Sequence, residues 1–363
     1  MLVSASQVRR EGLADLNRLT TPTERRANEE LLKLLDLIPA RADMRAIQSS
    51  IYQEQVAGYY DPRTKRLALV RTAGAQDESI AEITLAHELT HALDDELFGI
   101  REQPQQAGDD QAAAYTALVE GDATSVMTRY AARYMSGANL LGLLFAGSSA
   151  AGVPPPPPYV QASLEFPYLE GQRFVDALYS YGKGWKLVNY AFRFHPPSST
   201  AQILHPLEYI LRKRPLPVRP RIRPLLGRDW RLAAGGTPGE FDLRQLLQRG
   251  VGPNRAEQVG AGWRGGSYQL WRRGPLPAAS CASPCRSRDA LVLVWRASSV
   301  AAAGQIGSGL SAYVARDLRG TRPAGGTWSL AGGAAAVASS GSRVSLALAP
   351  TRALAAALTA APS

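Results

Sequence analysis

Two histidines one helical turn apart, with a carboxylate beside the first, stand at His87-Glu88-Leu89-Thr90-His91. On an α-helix, positions i and i+4 lie about 40° apart around the axis, so both imidazoles can turn a ring nitrogen toward one ion. A hydrolytic zinc site uses this spacing: two imidazole ligands, an open position, and Glu88 near that position as general base for a zinc-activated water. The chain has only four histidines in 363 residues, and independent placement would produce the pattern in roughly a few in a thousand such chains.

The chemistry requires a helix and a third protein ligand. Asp77-Glu78-Ser79 offers an N-cap and early negative charge, and Ile83, Ala86, Thr90, Leu93 and Leu97 recur at helical spacing. The pattern predicts a helix from about Ser79 to Phe98, closed by Gly99, with an apolar stripe on a core and the two histidines facing elsewhere. A third histidine or aspartate six residues beyond His91, with an intervening glycine, is missing from Ala92-Leu93-Asp94-Asp95-Glu96-Leu97. Further on, the run from Ala112 to Thr124 is a good helix former with Glu120 in its interior among apolar neighbours. A carboxylate so placed needs no cap to make and favours a cation, so Glu120 is the candidate third ligand, a solvated helix face being the alternative. Of the other nearby acids, Glu102 and Asp122 are rival ligands and Asp109-Asp110 suits helix capping. Asp94, Asp95 and Asp122 are acceptors for a spare imidazole N–H or, more simply, exposed surface acids.

HELTH followed by Glu120-Gly121-Asp122-Ala123, an E-x-x-A arrangement, resembles the glutamate-zincins. The wider string resembles a bacterial family of secreted or membrane-associated metallopeptidases, through residues 56–62, 84–93, 117–124 and Pro196-Pro197-Ser198-Ser199-Thr200 with Gln202-Ile203-Leu204-His205-Pro206. The family pattern has glutamate after the threonine and Glu-Lys-Tyr after His-Pro, where this chain has Ala201 and Leu207-Glu208-Tyr209. The resemblance therefore implies no role for that last loop. It does imply a zincin-like catalytic domain, zinc held by His87, His91 and Glu120, Glu88 as general base, and metalloendopeptidase action on a peptide or protein substrate. It also implies an extracytoplasmic setting.

A donor for the tetrahedral oxyanion is required as well, and His205, Tyr190 and Tyr209 are the candidates. Upstream, residues 55–60 and 66–70 flank the turn Asp61-Pro62-Arg63-Thr64-Lys65 and predict a hairpin. By the zincin resemblance the stretch from Arg66 to Arg71 would align the substrate, with a purely structural hairpin as the equal alternative.

The elements that must position these groups predict an α+β protein: a mostly helical, zincin-like catalytic domain with a small sheet, and a smaller C-terminal α+β accessory domain. Residues 1–50 read as an N-terminal segment of two amphipathic helices, near Glu11 to Leu19 and Thr23 to Leu37, packing on a catalytic domain at 51–210. Asn139 to Ala146 is apolar but too short to span a bilayer, and runs into five prolines, Pro154 to Pro158. Helices are predicted over Gln161 to Tyr181 and Trp185 to Phe194. Residues 211–232, with eight basic residues and four prolines between Arg212 and Arg231, form a basic linker. In 233–363, helices are predicted at Gly239 to Gln248, Val300 to Arg316 and Pro350 to Ala361. Strands are predicted at Ser267 to Arg272, Ala290 to Arg296, Thr327 to Leu330 and Val344 to Ala349.

The chain carries 41 Lys+Arg against 31 Asp+Glu, a formal net charge of +10. Nearly all the cations are arginine and no nucleic-acid motif occurs, so composition bias accounts for the charge and nucleic acid is disfavoured as a partner. Contact with an anionic membrane surface is the better use of such a charge. Met1 to Arg10 lacks the continuous apolar stretch of a signal peptide, and no stretch reads as a transmembrane helix. Cys281 and Cys285 could close a small disulfide or remain free thiols. Two rival functions stand beside the peptidase: an inactive zincin-fold binding protein that uses its cleft or basic linker, and a zinc hydrolase of non-peptide substrates.

Overall fold

The protein is described from a computed structural model, which covers residues 1–54, 58–71, 78–101, 108–135, 155–274, 281, 283–321 and 326–362. Asp77, Glu102 and the apolar stretch 139–146, all singled out above, lie outside the described residues. The architecture is mixed α+β, with a small sheet in the N-terminal half and a six-stranded sheet in the C-terminal half.

The small sheet has the order β1-β3-β2, from β1 (Leu2–Ser4), β2 (Gly58–Asp61) and β3 (Arg66–Arg71). β3 pairs antiparallel with β2, as the hairpin reading predicts, and parallel with β1, so β3 is the central strand. Three helices precede β2: α1 (Ala5–Leu19), α2 (Pro22–Leu34) and α3 (Met44–Glu54). Val8 of α1 shares a small core with Val3, Ala68 and Val70, and Glu11 accepts hydrogen bonds from the Tyr59 hydroxyl and Arg66. Thr21 and Glu24 close a capping box that starts α2. α2 leads into a different core: Leu31 to Ile38 pack with residues of the C-terminal sheet, and the Tyr313 hydroxyl donates to Leu35 O at 2.5 Å.

The helical layer consists of α4 (Glu78–Phe98), α5 (Asp110–Tyr134), α6 (Pro158–Gly182) and α7 (Lys186–Arg193), with two short helices, α8 (Thr200–Leu204) and α9 (Pro206–Ile210). α5 and α6 meet backbone to backbone at two glycines. A Cβ on Gly121 would lie 2.2 Å from the carbonyl carbon of Gly171, and one on Gly171 would lie 2.1 Å from Ala117 O. Only glycine permits that approach.

Residues 211–229 do not hang free as a linker. Val218, Ile222 and Leu226 are buried on the C-terminal sheet, Arg221 N donates to Pro362 O at 2.8 Å, and the Gln269 side chain donates to Pro220 O at 3.2 Å. The arginines between them stay exposed.

The C-terminal sheet is antiparallel throughout, in the order β4-β5-β6-β9-β8-β7. Its strands are β4 (Trp230–Gly236), β5 (Trp263–Arg273), β6 (Asp289–Ala297), β7 (Thr327–Leu330), β8 (Gly333–Ser340) and β9 (Arg343–Ala349). Along β6, Leu291, Leu293 and Trp295 enter one core, with α10 (Glu240–Val251), α11 (Pro253–Gly260), α12 (Val300–Arg316) and the α2 leucines. Ala290, Val292 and Val294 enter the other, with α13 (Arg352–Thr359) and the 218–226 strip. Period-two alternation between two covered faces explains why β6 is buried almost end to end. Cys281 and Cys285 are joined as a disulfide, and the loop they close is held on α2, where Glu30 accepts hydrogen bonds from Ser283 Oγ at 2.7 Å and from Cys285 N.

Candidate metal centre

α4 presents its polar side to the protein. Thr84, His87, Glu88, His91, Asp94 and Asp95 are buried, whereas Leu93 and Leu97 are 53 % and 49 % exposed, as part of an outward row with Leu85 and Leu89. The sequence expectation is thus reversed: of the predicted apolar stripe Ile83 is buried at the core, but its leucines face out and the histidines face in. The reason lies in what packs there. Gly58 of β2 comes so close that a Cβ on it would lie 2.8 Å from Thr84 Cγ2, and Glu120 of α5 faces both histidines. Glu120 and the Tyr60 backbone N–H offer a charge and a hydrogen bond, so the histidines and Glu88 turn toward them.

His87 Nε2 and His91 Nε2 are 3.0 Å apart, and Glu120 Oε2 lies 3.2 Å from the first and 3.3 Å from the second. A tetrahedral zinc with ligands at 2.0–2.1 Å requires neighbouring ligand atoms to be about 3.3 Å apart. The triangle therefore has close to the right edges, and its atoms, two imidazole nitrogens and a carboxylate oxygen, are the donors zinc prefers. Its electrostatics point the same way. Burial alone would lower the pKa of His91, but the Glu120 carboxylate outweighs it and the value rises to about 9. Burial would likewise favour neutral Glu120, yet His91 and His87 hold it far below the usual carboxylate range. The cluster favours a positive charge among its three atoms.

Glu88 is buried beside the triad, where it accepts a hydrogen bond from the Tyr60 backbone N–H. Burial raises its pKa, the two histidines oppose that rise, and Glu120 adds to it. Asp94, Asp95 and Asp122 are buried rather than exposed, which corrects the simpler sequence reading. Asp94 and Asp122 hydrogen-bond each other close to His91, and burial pushes both carboxyls upward. Among the described residues, Nδ1 of both histidines, Asp94 Oδ2 and Asp122 Oδ1 are buried without hydrogen-bond partners. Asp95 is fully engaged by the Tyr60 hydroxyl at 2.8 Å, Ile100 N at 3.2 Å and the Lys65 ammonium, which ties the hairpin to the end of α4.

Two of the three expected oxyanion donors are committed elsewhere, and the third, Tyr190, is an acceptor that keeps its own O–H. His205 Nε2 is 2.9 Å from Glu240 Oε1, the Tyr209 hydroxyl donates to His195 O at 2.8 Å, and the Tyr190 hydroxyl accepts from Arg212 at 3.1 Å. The structure instead places Tyr168 of α6 at the centre. Its ring stacks on that of His87 with centroids 6.0 Å apart, and its hydroxyl hydrogen-bonds Glu120. The negative charge of Glu120, then burial, keeps the phenol protonated well above its ordinary range. Tyr168 gets there because Gly171, three residues on, lets α6 touch α5 at Gly121. Its one sequence signal is Pro167, a proline inside the predicted helix.

The loop without an assigned role is a joint between the halves. Ser199 caps α8, and Thr200 N and Oγ1 donate to Asp110 Oδ1 at 2.7 and 2.6 Å. Phe241 N in turn donates to Thr200 Oγ1 at 3.2 Å, and Asp110 N and Thr237 O pair across the bridge Asp109↔Thr237. Asp109 caps α5 as expected, whereas Asp110 belongs to the joint, where burial raises its pKa to about 8. The segment Arg66 to Arg71, expected either to align a substrate or to be purely structural, is not an edge strand. β3 has neighbours on both sides, and β2 is the edge strand beside α4.

A cleft of about 230 Å³, lined by Tyr60, His91, Tyr115, Thr116 and Glu120 among others, leads to the triad. Among the described residues no helix is long and apolar enough to cross a membrane. Compared with known proteins, residues 230–359 match a family model described as a domain of unknown function (DUF8575). Those bounds run from the first residue of β4 to the last of α13 and leave out the candidate centre. No curated protein and no solved structure matches the chain.

Proposed function

We propose that the chain is a zinc-dependent peptidase with a zincin-like catalytic half. The observation that carries this reading is the convergence of His87 Nε2, His91 Nε2 and Glu120 Oε2 within 3.0–3.3 Å of one another beside a buried carboxylate, Glu88. His87, His91 and Glu120 would hold the ion, which when bound supplies Lewis acidity toward water and the scissile carbonyl. Glu88, fixed by the Tyr60 backbone N–H, takes the proton of the attacking water on its carboxylate and delivers it to the leaving amine. Tyr168, whose hydroxyl hydrogen-bonds Glu120 and whose ring stacks on His87, would hold two of the three ligands in place. The outer edge of β2 aligns the extended peptide by main-chain hydrogen bonds. The Cys281–Cys285 disulfide supports work in an oxidising, extracytoplasmic compartment.

The test is metal analysis joined to one substitution. Purified protein should carry about one zinc per chain and cleave unstructured polypeptides, and Glu88→Gln should keep the zinc while losing the cleavage. Protein that takes up no zinc under any loading condition defeats the reading. Zinc retained without Glu88-dependent cleavage of polypeptides leaves a hydrolase of another substrate or an inactive binding fold.

A further inference from the structure

A second cavity, of about 140 Å³, opens on the same helix as Glu120. Besides α5, four helices wall it: α2 with Leu32, α3 with Met44 and Ile51, α6 with Leu164 and Phe166, and α10 with Phe241. On α5 it is bounded by Ala113 and Thr116, and Thr116 also lines the cleft that leads to the metal triad. Thr116 precedes Glu120 by four residues, so the mouth of the cavity lies about one helical turn, ~6 Å, from a metal ligand on one face of one helix. In an extended peptide, side chains on one face recur about every 6.8 Å. A peptide lying across the triad would therefore bring a nearby side chain to that mouth.

We propose that this cavity is a substrate subsite that takes a phenyl-sized apolar side chain within two residues of the scissile bond. The proposal rests on the peptidase reading and deepens it. Size supports the choice of occupant: an apolar cavity of about 150 Å³ is known to take up benzene, and this one is nearly that volume. Chemistry supports it too: most of the wall is aliphatic and aromatic, and the two acids that line it are engaged, Asp109 as the cap of α5 and Asp242 by the Tyr159 hydroxyl at 2.8 Å and Gly239 N at 2.9 Å. The subsite is assembled from both halves of the molecule, since Phe241 belongs to the C-terminal unit. That unit thereby takes part in choosing the substrate.

The experiment maps cleavage of a peptide library by the full-length, zinc-loaded protein and by two variants. Ala113→Leu fills the cavity from the α5 side, and Met44→Ala enlarges it from α3. The wild-type protein should prefer Phe or Leu over Ala at one position near the cut by about tenfold or more. That ratio should fall toward one in Ala113→Leu and shift toward Trp in Met44→Ala, with zinc content and melting temperature showing that each variant is folded. Glu88-dependent cleavage whose residue preference ignores both substitutions overturns the subsite and leaves the peptidase reading standing. Binding to zinc-loaded Glu88→Gln protein gives a readout without turnover: a Phe-bearing peptide should bind more tightly than its Ala counterpart, and Ala113→Leu should erase the difference. Equal binding of the two peptides, or none, overturns the proposal, whereas failure of the wild-type protein to cleave any peptide is the separate failure of the peptidase reading.

Discussion

α4 and β6 are both buried elements, and they are buried for opposite reasons. β6 carries Leu291, Leu293 and Trp295 to one face and Ala290, Val292 and Val294 to the other, so its burial follows hydrophobicity residue by residue. α4 hides two histidines and three acids while leaving four leucines at least 36 % exposed. The sheet is arranged for stability, because every apolar group withdrawn from water contributes favourably. The helix is arranged at a cost, because desolvated charges are destabilising unless partners or an ion answer them. A buried polar face with so little apolar compensation is what the proposed metal centre would explain.

That contrast is sharpest if each region is damaged in its own way. Trp295 is fully buried between β6 and the helices covering it, so Trp295→Ala should destabilise the fold by about 3–5 kcal/mol, read by urea denaturation, with zinc per folded molecule unchanged. Glu120→Gln should do the reverse. Loss of a direct ligand should weaken zinc binding by at least the roughly hundredfold seen when mere supporting partners are removed, measured by chelator competition. The metal-free protein should lose less stability than Trp295→Ala does, because without Glu120 burial drives His91 to release its proton and no uncompensated charge stays in the interior. Equal damage to stability from both substitutions would break the comparison.

The same contrast explains what was legible in the sequence. In the C-terminal half the alternation of Leu, Val and Trp places β5, β6, β7 and β9 well, and the helices at 240, 300 and 352 follow from their periodicity. The elements it misses are β4, whose sequence is WRLAAGG, and β8, GAAAVASS. Both are poor strand formers that are strands because of their neighbours in the sheet. α11 goes unread because eight residues between a proline and a glycine carry little pattern. At the candidate centre the convergence of His87, His91 and Glu120 was legible, because residue type and helical spacing point to it. Their surroundings were not. Tyr168 lies 48 positions beyond Glu120 and arrives through a glycine contact with no period, and the orientation of α4 is set by partners rather than by its own leucines.

The glycine contact gives a smaller but more local test. Gly121→Ala or Gly171→Ala would force α5 and α6 apart where backbone atoms stand closer than 2.5 Å to the added Cβ, with a cost of about 1–3 kcal/mol by denaturation. Because Tyr168 moves with α6, turnover should fall beyond what the loss of folded protein explains. Gly304 of α12 is the control from the other region. A Cβ there meets nothing within 4 Å, so Gly304→Ala should be neutral or stabilising by up to about 1 kcal/mol.

The weakest effect concerns the joint that binds the two regions together. His205 hydrogen-bonds Glu240, and that bond raises its pKa above the ordinary histidine value against the opposing effect of burial. A histidine whose folded pKa exceeds its unfolded one stabilises the fold fully below about pH 6.5, and the contribution disappears as pH rises through the folded value. The charged pair should thus hold the joint in mildly acidic solution and weaken above neutrality. Arg244 limits the loss, because its guanidinium lies 2.6 Å from the same Glu240 oxygen and continues to neutralise it after His205 loses its proton. The difference in unfolding free energy between wild type and His205→Gln should therefore shrink from pH 6 to pH 9 by no more than about 1 kcal/mol. A difference that grows with pH would mean that neutral His205 is the form the joint prefers, and that Arg244 alone carries the charge of Glu240.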